Sequence, residues 1–500
     1  MLDEYGQRFP EADEAIKELS YQRAHELYGE NLPKIVQERI DQELKAILKN
    51  GFSSLFLLNQ KLVQKSIEAG YPVGFRLSVG ASFVAFLIGI TEVNPLPPHW
   101  YCSKCHYSEF ITDGSYYSGF DLPAKKCPQC GDSLSKDGHD MPSAVFFGFD
   151  GDKEPNIDLN FSESYRPQID AYLKQLLGHD KVYAPGIIKE LPEKTVYEYA
   201  QKYFEEKGET PQDSCTHDGL TLIKILGDLT HCDYKTIPFD DSSTFSLFHS
   251  TEALSVSPED LGATTGTLGV PEFQEPYARR MLDEIKPTCF SDLVKMVGFC
   301  YGTEIWKGNM QDALRDGVCT LHDAISVRDD IMMYLIRKGI DPLLAYKTME
   351  NVRKGKGIKP DVVEKLKDEG VPKWYIEACQ TVRYLCPRAA AVSSAMTTYR
   401  IAYYKAHYPL EFYAAYFTLH AEVFDVNVVT MGKDAVKEHL EKLESIQRPD
   451  DKEKEEIYVL QLALEMILRG YAVEPVDRRQ SDAEKFIIRD KSLLPPLSFL

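Results

Sequence analysis

The sequence predicts a helix-rich α+β protein, and three observations carry that prediction. Apolar residues recur three and four apart across residues 11–70 and again from Phe290 to about Leu419, the period of helices that bury one face. Between these regions, residues 71–98 turn to Gly, Ser, Val and Phe, the mixture of strands and tight turns, and residues 144–161 read as another strand pair. Residues 99–140 form a Gly/Cys/Lys/Asp-rich insertion with few large aliphatic residues and two close cysteine pairs.

In chain order, the first segment is helical through Ile35, Ile40, Leu44, Ile47 and Leu48, amid charges of alternating sign. Strand-like segments then flank the cysteine insertion, and residues 163–207 return to a helical pattern. Residues 211–275 are turn-rich and lack a strong period. The helical region beyond Phe290 is punctuated by Gly339, Pro360, Pro372 and Pro387. The tail from residue 433 carries the charged run Asp450–Glu456, which reads as the solvated face of a helix. No internal repeat or low-complexity tract is visible.

The 500 residues are 43% apolar and 27% charged, an ordinary globular composition with room for several cores. No apolar run reaches the ~18–20 residues of a membrane span. The start, Met1-Leu2-Asp3-Glu4, is acidic and unlike a signal peptide, so a cytoplasmic protein is expected. A net charge of −20 argues against coating nucleic acid non-specifically, although a local basic groove is compatible with it.

Four of the eleven cysteines are paired in sequence. Cys102-Ser103-Lys104-Cys105 and Cys127-Pro128-Gln129-Cys130 make a doubled CxxC pattern, which suits four thiolates on a tetrahedral Zn²⁺. With so little core-forming material between the pairs, metal would stabilise this stretch instead. With all four positions filled by protein, the expected role is structural.

Several further segments resemble the PolC-type bacterial DNA polymerase III α subunit, in the same order along the chain. They include Thr91–Pro98, Gly119–Pro123, Ile157–Phe161, Gly266–Phe273, Val352–Gly357 and Arg400–Lys405. The resemblance implies a nucleotidyltransferase-like palm with an inserted zinc ribbon, followed by helical fingers. On that basis residues 1–70 are a helical N-terminal segment, 71–275 the palm with its ribbon at 99–140, 276–432 the fingers, and 433–500 a helical tail. It further implies a DNA primer-template and dNTP as partners, other replisome proteins among the contacts, and Mg²⁺ as cofactor.

Polymerase chemistry needs carboxylates around two metal ions, one activating the primer hydroxyl and one holding the triphosphate. On a strand, an Asp-x-Asp pair puts both carboxylates on one face. Here that pair reads Asn156-Ile157-Asp158, and Lys224 stands where the resemblance places a third Asp on a later strand. Both changes remove negative charge, and only Asp158 keeps its carboxylate. Lys224 is expected either to pair with Asp158 in place of a metal ion or to face solvent.

By the same resemblance Gly74, Arg76, Ser78, Gly80 and Ser82 form the triphosphate turn, with Phe75, Leu77 and Ala81 where the family has smaller residues. The family's finger histidines appear as Tyr301 and as alanine within Pro387–Ala391. Arg353, Lys354, Lys356 and Lys359 form a basic turn suited to phosphate contacts. Three readings follow: a polymerase-derived protein that binds DNA or replisome partners without catalysis, an active polymerase with a rebuilt metal site, and a remnant without function.

Overall fold

A computed structural model describes residues 9–179, 182 and 216–500. Three helices open the chain: α1 (Ala12–Tyr28), α2 (Lys34–Lys49) and α3 (Ser53–Glu68). On α2 the buried residues are Val36, Ile40, Glu43, Leu44 and Ile47, the single stripe that the sequence period requires. The buried Glu43 belongs to that stripe for a polar reason given below.

Strand is scarce among the described residues of the expected palm. Strand β1 (Gly74–Phe75) is followed by helix α4 (Phe83–Leu87), and the ribbon strands are β2 (His99–Tyr101), β3 (Ser108–Phe110) and β4 (Ser135–Asp137). The predicted strand pair at 144–161 forms differently. Ala144–Phe147 is a helical turn, α5, that buries Val145, Phe146 and Phe147, and only Leu159–Asn160 is strand, β5. Strand β5 pairs antiparallel with β1, Gly74 opposite Asn160 and Phe75 opposite Leu159. Of the predicted helix at 163–207, α6 (Arg166–Leu177) forms, and the remainder lies largely outside the described residues.

Two segments of the predicted turn-rich stretch 211–275 are helical: α7 (Thr216–Thr230) and α8 (Ser242–His249). Helices α9 (Pro276–Ile285), α10 (Phe290–Tyr301), α11 (Arg328–Arg337), α12 (Pro342–Val352), α13 (Pro360–Asp368), α14 (Lys373–Thr381), α15 (Arg388–His407) and α16 (Pro409–Leu419) follow. The prolines flagged as breaks start helices: Pro360 opens α13, while Pro372 and Pro387 precede α14 and α15, where the missing N–H costs nothing. The tail holds α17 (Lys433–Glu444) and α18 (Asp451–Leu468), the latter begun by a capping box of Asp450 and Glu453. It is not wholly helical: β6 (Ala472–Val473), β7 (Ile487–Arg489) and β8 (Ser492–Leu494) form a sheet in the order β6-β8-β7.

One continuous apolar core runs through all these parts, and a second, small cluster of Trp100, Cys102, Leu122, Cys127 and Leu134 sits inside the ribbon. The ribbon is seated by backbone contact at Gly119. A Cβ there would lie 1.8 Å from the Asp137 carbonyl oxygen, so Gly119→Ala is expected to displace the ribbon and lower the melting temperature.

Two buried ion pairs tie the helices together. Lys405 on α15 donates to Glu465 on α18 at 2.8 Å and to the carbonyls of Gly266 and Leu268. Asp330, at the start of α11, accepts six hydrogen bonds, among them Lys295 Nζ of α10 at 3.0 Å, Arg388 of α15 at 2.9 Å and the Tyr117 hydroxyl at 2.8 Å.

Buried histidines set an acid limit. His139 is packed between Phe120 and Phe290, and neither ring nitrogen has a protein hydrogen bond. Burial, with the Arg388 guanidinium nearby, pushes its pKa down to about 3. Burial alone lowers His99 to about 4. The unfolded chain binds these protons below about pH 6.5, whereas the folded one does not, so stability falls as pH drops through that window. His139→Phe is expected to unfold at lower pH than the parent protein in an acid titration followed by circular dichroism.

Candidate active site and metal centre

The two CxxC pairs lie on two knuckles beside β2, β3 and β4. Each knuckle is closed by backbone bonds: Cys102 N–H to the Tyr107 carbonyl, and Cys127 N–H to the Asp132 carbonyl. The four Sγ atoms all lie within 4.8 Å of one another, with Cys102–Cys130 at 3.5 Å and Cys105–Cys127 at 3.4 Å. Four thiolates at this spacing surround one point at about the ~2.3 Å radius of a Zn–S bond. The residues therefore fit a zinc ion, and with four protein ligands no position is left for substrate.

The predicted chemistry centres on β1 and β5. Asn156 is exposed and Asp158 half-buried, both in extended chain just ahead of β5. The Asp158 carbonyl accepts the Arg76 N–H at 3.3 Å, which extends the β1–β5 ladder by one bond. The Asp158 carboxylate has no hydrogen bond or ion pair among the described residues, and no group of three potential ligands forms around it there.

Lys224 is not where the sequence reading put it. Residue 224 lies within the helix α7, not on a strand, and its ammonium group pairs with Asp228 one turn on, at 2.5 Å. It also lies 5.5 Å from the centre of the Tyr71 ring. Of the two alternatives expected for Lys224, the pair with Asp158 does not form, because helical geometry carries the ammonium toward its i+4 neighbour Asp228.

The triphosphate turn divides. Gly74 and Arg76 line a cleft of about 230 Å³ with Phe75, Asn160, Leu220 of α7, Tyr301 of α10, and Ala390, Ser393, Ser394 and Thr397 of α15. Ser78, Gly80 and Ser82 are turned inward. The Ser78 hydroxyl accepts from Arg328 at 2.7 Å, and the Ser82 hydroxyl donates to Glu43 at 2.7 Å and caps α4. Glu43 also accepts the Phe83 and Val84 amides, at 3.0 and 3.1 Å. The helix start that could hold a phosphate is thus filled by the protein's own carboxylate. Over Gly80 lies the Phe75 ring, 2.5 Å from where a Cβ would stand.

Behind the cleft, Glu272 accepts from the Tyr301 hydroxyl at 2.6 Å and from Ser394 at 2.9 Å. Burial pushes its carboxyl above the usual range against those two hydrogen bonds. Glu272 adopts φ +68°, an uncommon conformation for a residue other than glycine. The replaced finger histidine, Tyr301, thereby faces the same cleft as β1. Sequence reasoning missed the roles of Asn160, Leu220, Glu272, Ser394 and Thr397. Asn160 and Glu272 sit in segments already singled out, and Leu220 lies four residues before Lys224, whereas Ser394 and Thr397 carry no local signal.

The basic turn is held rigidly. Gly355 and Gly357 have φ of +70° and +63°, and the Gln380 side chain grips both the N–H and the carbonyl of Ile358. Arg353 and Lys354 pair with Glu350 at 2.5 and 3.0 Å. Burial of Glu350 is outweighed by Arg353 and Lys354, which bring its pKa down to about 2. Lys356 and Lys359 are exposed and form no ion pair among the described residues.

With this geometry in hand, comparison defines the class. Residues 14–217 match the bacterial DNA polymerase III alpha NTPase domain, and residues 219–373 match the finger domain of the same subunit. The chain belongs to the bacterial DNA polymerase III α subunit family, in its PolC-type branch. It is 44% identical over 558 residues to the DNA polymerase III PolC-type of Caldanaerobacter subterraneus subsp. tengcongensis, covering 98% of this chain and 40% of that protein. It is 42% identical to that of Bacillus subtilis (99% and 39%) and 42% identical to that of Thermotoga maritima (98% and 41%).

The chain therefore spans about two fifths of these relatives. Each aligned stretch is longer than the chain itself, so the relatives carry internal residues that it lacks. Lys224 falls inside the finger match, which agrees with its place on a helix packed against α15 and α16.

Proposed function

We propose that this chain is the palm and fingers of a PolC-type polymerase that has lost metal-dependent nucleotidyl transfer and binds DNA in the cytoplasm, alone or with replisome partners. In this reading the palm occupies the NTPase match, the fingers begin near residue 219 rather than at the expected 276, and the zinc ribbon is purely structural. The observation that carries it is the isolation of Asp158. Among the described residues no group of three potential metal ligands includes it, and its neighbour two residues back is the neutral Asn156. Two divalent ions bring about four positive charges together, and one carboxylate does not offset them.

The test is primer extension by the purified protein with Mg²⁺ and then Mn²⁺, beside an Asp158→Ala control. No extension by either protein is expected. Extension that the control abolishes would overturn the proposal.

Binding is expected through the exposed lysines of the basic turn. Lys356→Glu with Lys359→Glu should weaken primer-template binding and reduce the slope of log affinity against log salt by about 2, at about 0.9 per phosphate contact. An unchanged slope in fluorescence anisotropy would place the DNA elsewhere.

A further inference from the structure

A second cleft, of about 460 Å³, opens where the ribbon meets the helices. The ribbon supplies residues 120–124 and Lys136 of β4. Phe239 and Asp240 precede α8, Phe245 lies on it, and Thr288 and Cys289 lead into α10. The cleft shares no lining residue with the one at β1, and none with the basic turn. Its size falls within the roughly 300–1,000 Å³ of pockets that enclose a ligand group.

The walls are apolar, and the surroundings are negative. Phe120 and Phe239 stack with their ring centres 4.4 Å apart, and Leu122 and Phe245 extend that surface. Among the lining side chains two carboxylates, Asp121 and Asp240, stand against one ammonium group, Lys136, which pairs with Asp240 at 2.7 Å. Asp121 accepts the Phe290 and Ser291 amides and the Ser291 hydroxyl, neutral donors that leave its charge in place. The Cys289 thiol registers this field: burial first, then the Asp121 and Asp292 carboxylates, push its pKa up. A phosphate would enter against these carboxylates. A cation on an apolar stem gains from the walls and the charge together.

Arginine meets these conditions better than lysine. Its guanidinium is the less strongly hydrated cation and grips a carboxylate with two parallel N–H bonds. Asp240 is open to such a grip, with its side chain 57% exposed, and so exposed a pair as Lys136–Asp240 resists exchange only weakly. The net charge of −20 also draws basic partners toward the chain. We propose that this cleft docks an arginine side chain of a partner protein, its stem along Phe120, Leu122 and Phe245 and its guanidinium on Asp240. The docked segment bridges the zinc ribbon to α8 and the start of α10, so partner binding depends on an intact ribbon. This inference goes beyond the non-catalytic reading and stands independently of it.

Isothermal titration calorimetry of the zinc-loaded full chain with the peptide acetyl-Ala-Leu-Arg-Leu-Ala-amide tests it. The same peptide with Lys or Glu at its centre, and N-acetyl-arginine amide alone, serve as comparisons. The arginine peptide is expected to bind one per chain, more tightly than the lysine peptide and about tenfold or more tighter than the glutamate peptide. Asp240→Asn should weaken it about tenfold, since the charge-assisted grip is lost. Ala124→Trp, at an exposed position on the wall, should block it by bulk, and a thermal melt reports whether each variant is folded. No binding of the arginine peptide, equal affinity for the lysine or glutamate peptide, or unchanged affinity in folded Asp240→Asn or Ala124→Trp would each overturn the inference. Equal affinity for N-acetyl-arginine amide would also overturn it, by making the occupant a free small cation and not a protein segment. Primer extension tests the non-catalytic reading separately, so either can fail alone.

Discussion

Replacing Asp330 by alanine is expected to remove about 3–5 kcal/mol of stability, the usual effect of breaking a buried ion pair from one side. The reason is what the substitution leaves behind. Lys295 and Arg388 are each only 2% exposed, and both lean on Asp330 and over the Tyr117 ring. Without the carboxylate, two like charges would remain in the core of three packed helices. Against a typical total of 5–15 kcal/mol, that is a large fraction.

The same group predicts a pH signature. Burial alone would raise the Asp330 carboxyl, but Lys295, Arg388 and the Ser326 amide win and hold it far below the usual carboxylate range. A depressed carboxyl contributes stability that is fully present above its unfolded value, near 3.9, and is lost as pH falls through the folded one. Urea denaturation should therefore show the difference between Asp330→Ala and the parent protein at neutral pH, narrowing only under strongly acidic conditions. A constant difference down to acid pH would mean that the carboxylate is not the source of the effect.

Zinc removal is the second large expectation. The ribbon owns a core of only five buried residues, two of which are ligands. Four thiolates without a metal would hold it by little more than the β3-β2-β4 backbone ladder and Trp100. Atomic absorption should find one zinc per chain. Strong chelation, or Cys127→Ser, is expected to melt β2–β4 and expose Trp100, whose indole N–H donates to the Pro123 carbonyl at 2.9 Å in the folded ribbon. The magnitude should be several kcal/mol, since binding of a structural zinc is worth about 10–16 kcal/mol in small peptides that fold around it. Unchanged Trp fluorescence and melting after complete chelation would show that the small core suffices alone.

Loss of the ribbon should spread, because Asp121 in its long loop accepts the Phe290 and Ser291 amides at the start of α10. Deleting the metal is therefore expected to loosen the finger helix that carries Tyr301. Hydrogen exchange along α10 would follow this directly.

The sequence by itself determined the parts whose information is local. The doubled CxxC spacing defined the metal centre, since two knuckles of four residues suffice to aim four thiolates. The helices of residues 290–419 were legible because their apolar period is a property of each segment alone. Tertiary structure decided the rest. Residues 71–98 and 144–161 read as strands and turns, yet packing of Phe83–Leu87 against α1 and α2, and of Phe147 on Phe56 of α3, goes with turns and short helices there instead. Lys224 read as a strand residue that either pairs with Asp158 or faces solvent, but a helix carries it to Asp228. Ser78 and Ser82 read as phosphate donors until Arg328 and Glu43, distant in sequence, claimed their hydroxyls. The cleft itself joins Asn160, Leu220, Tyr301 and Ser394 across more than two hundred positions, and no local pattern encodes such a meeting. Contacts of that range depend on the completed packing of helices α7, α10 and α15 against a two-residue strand.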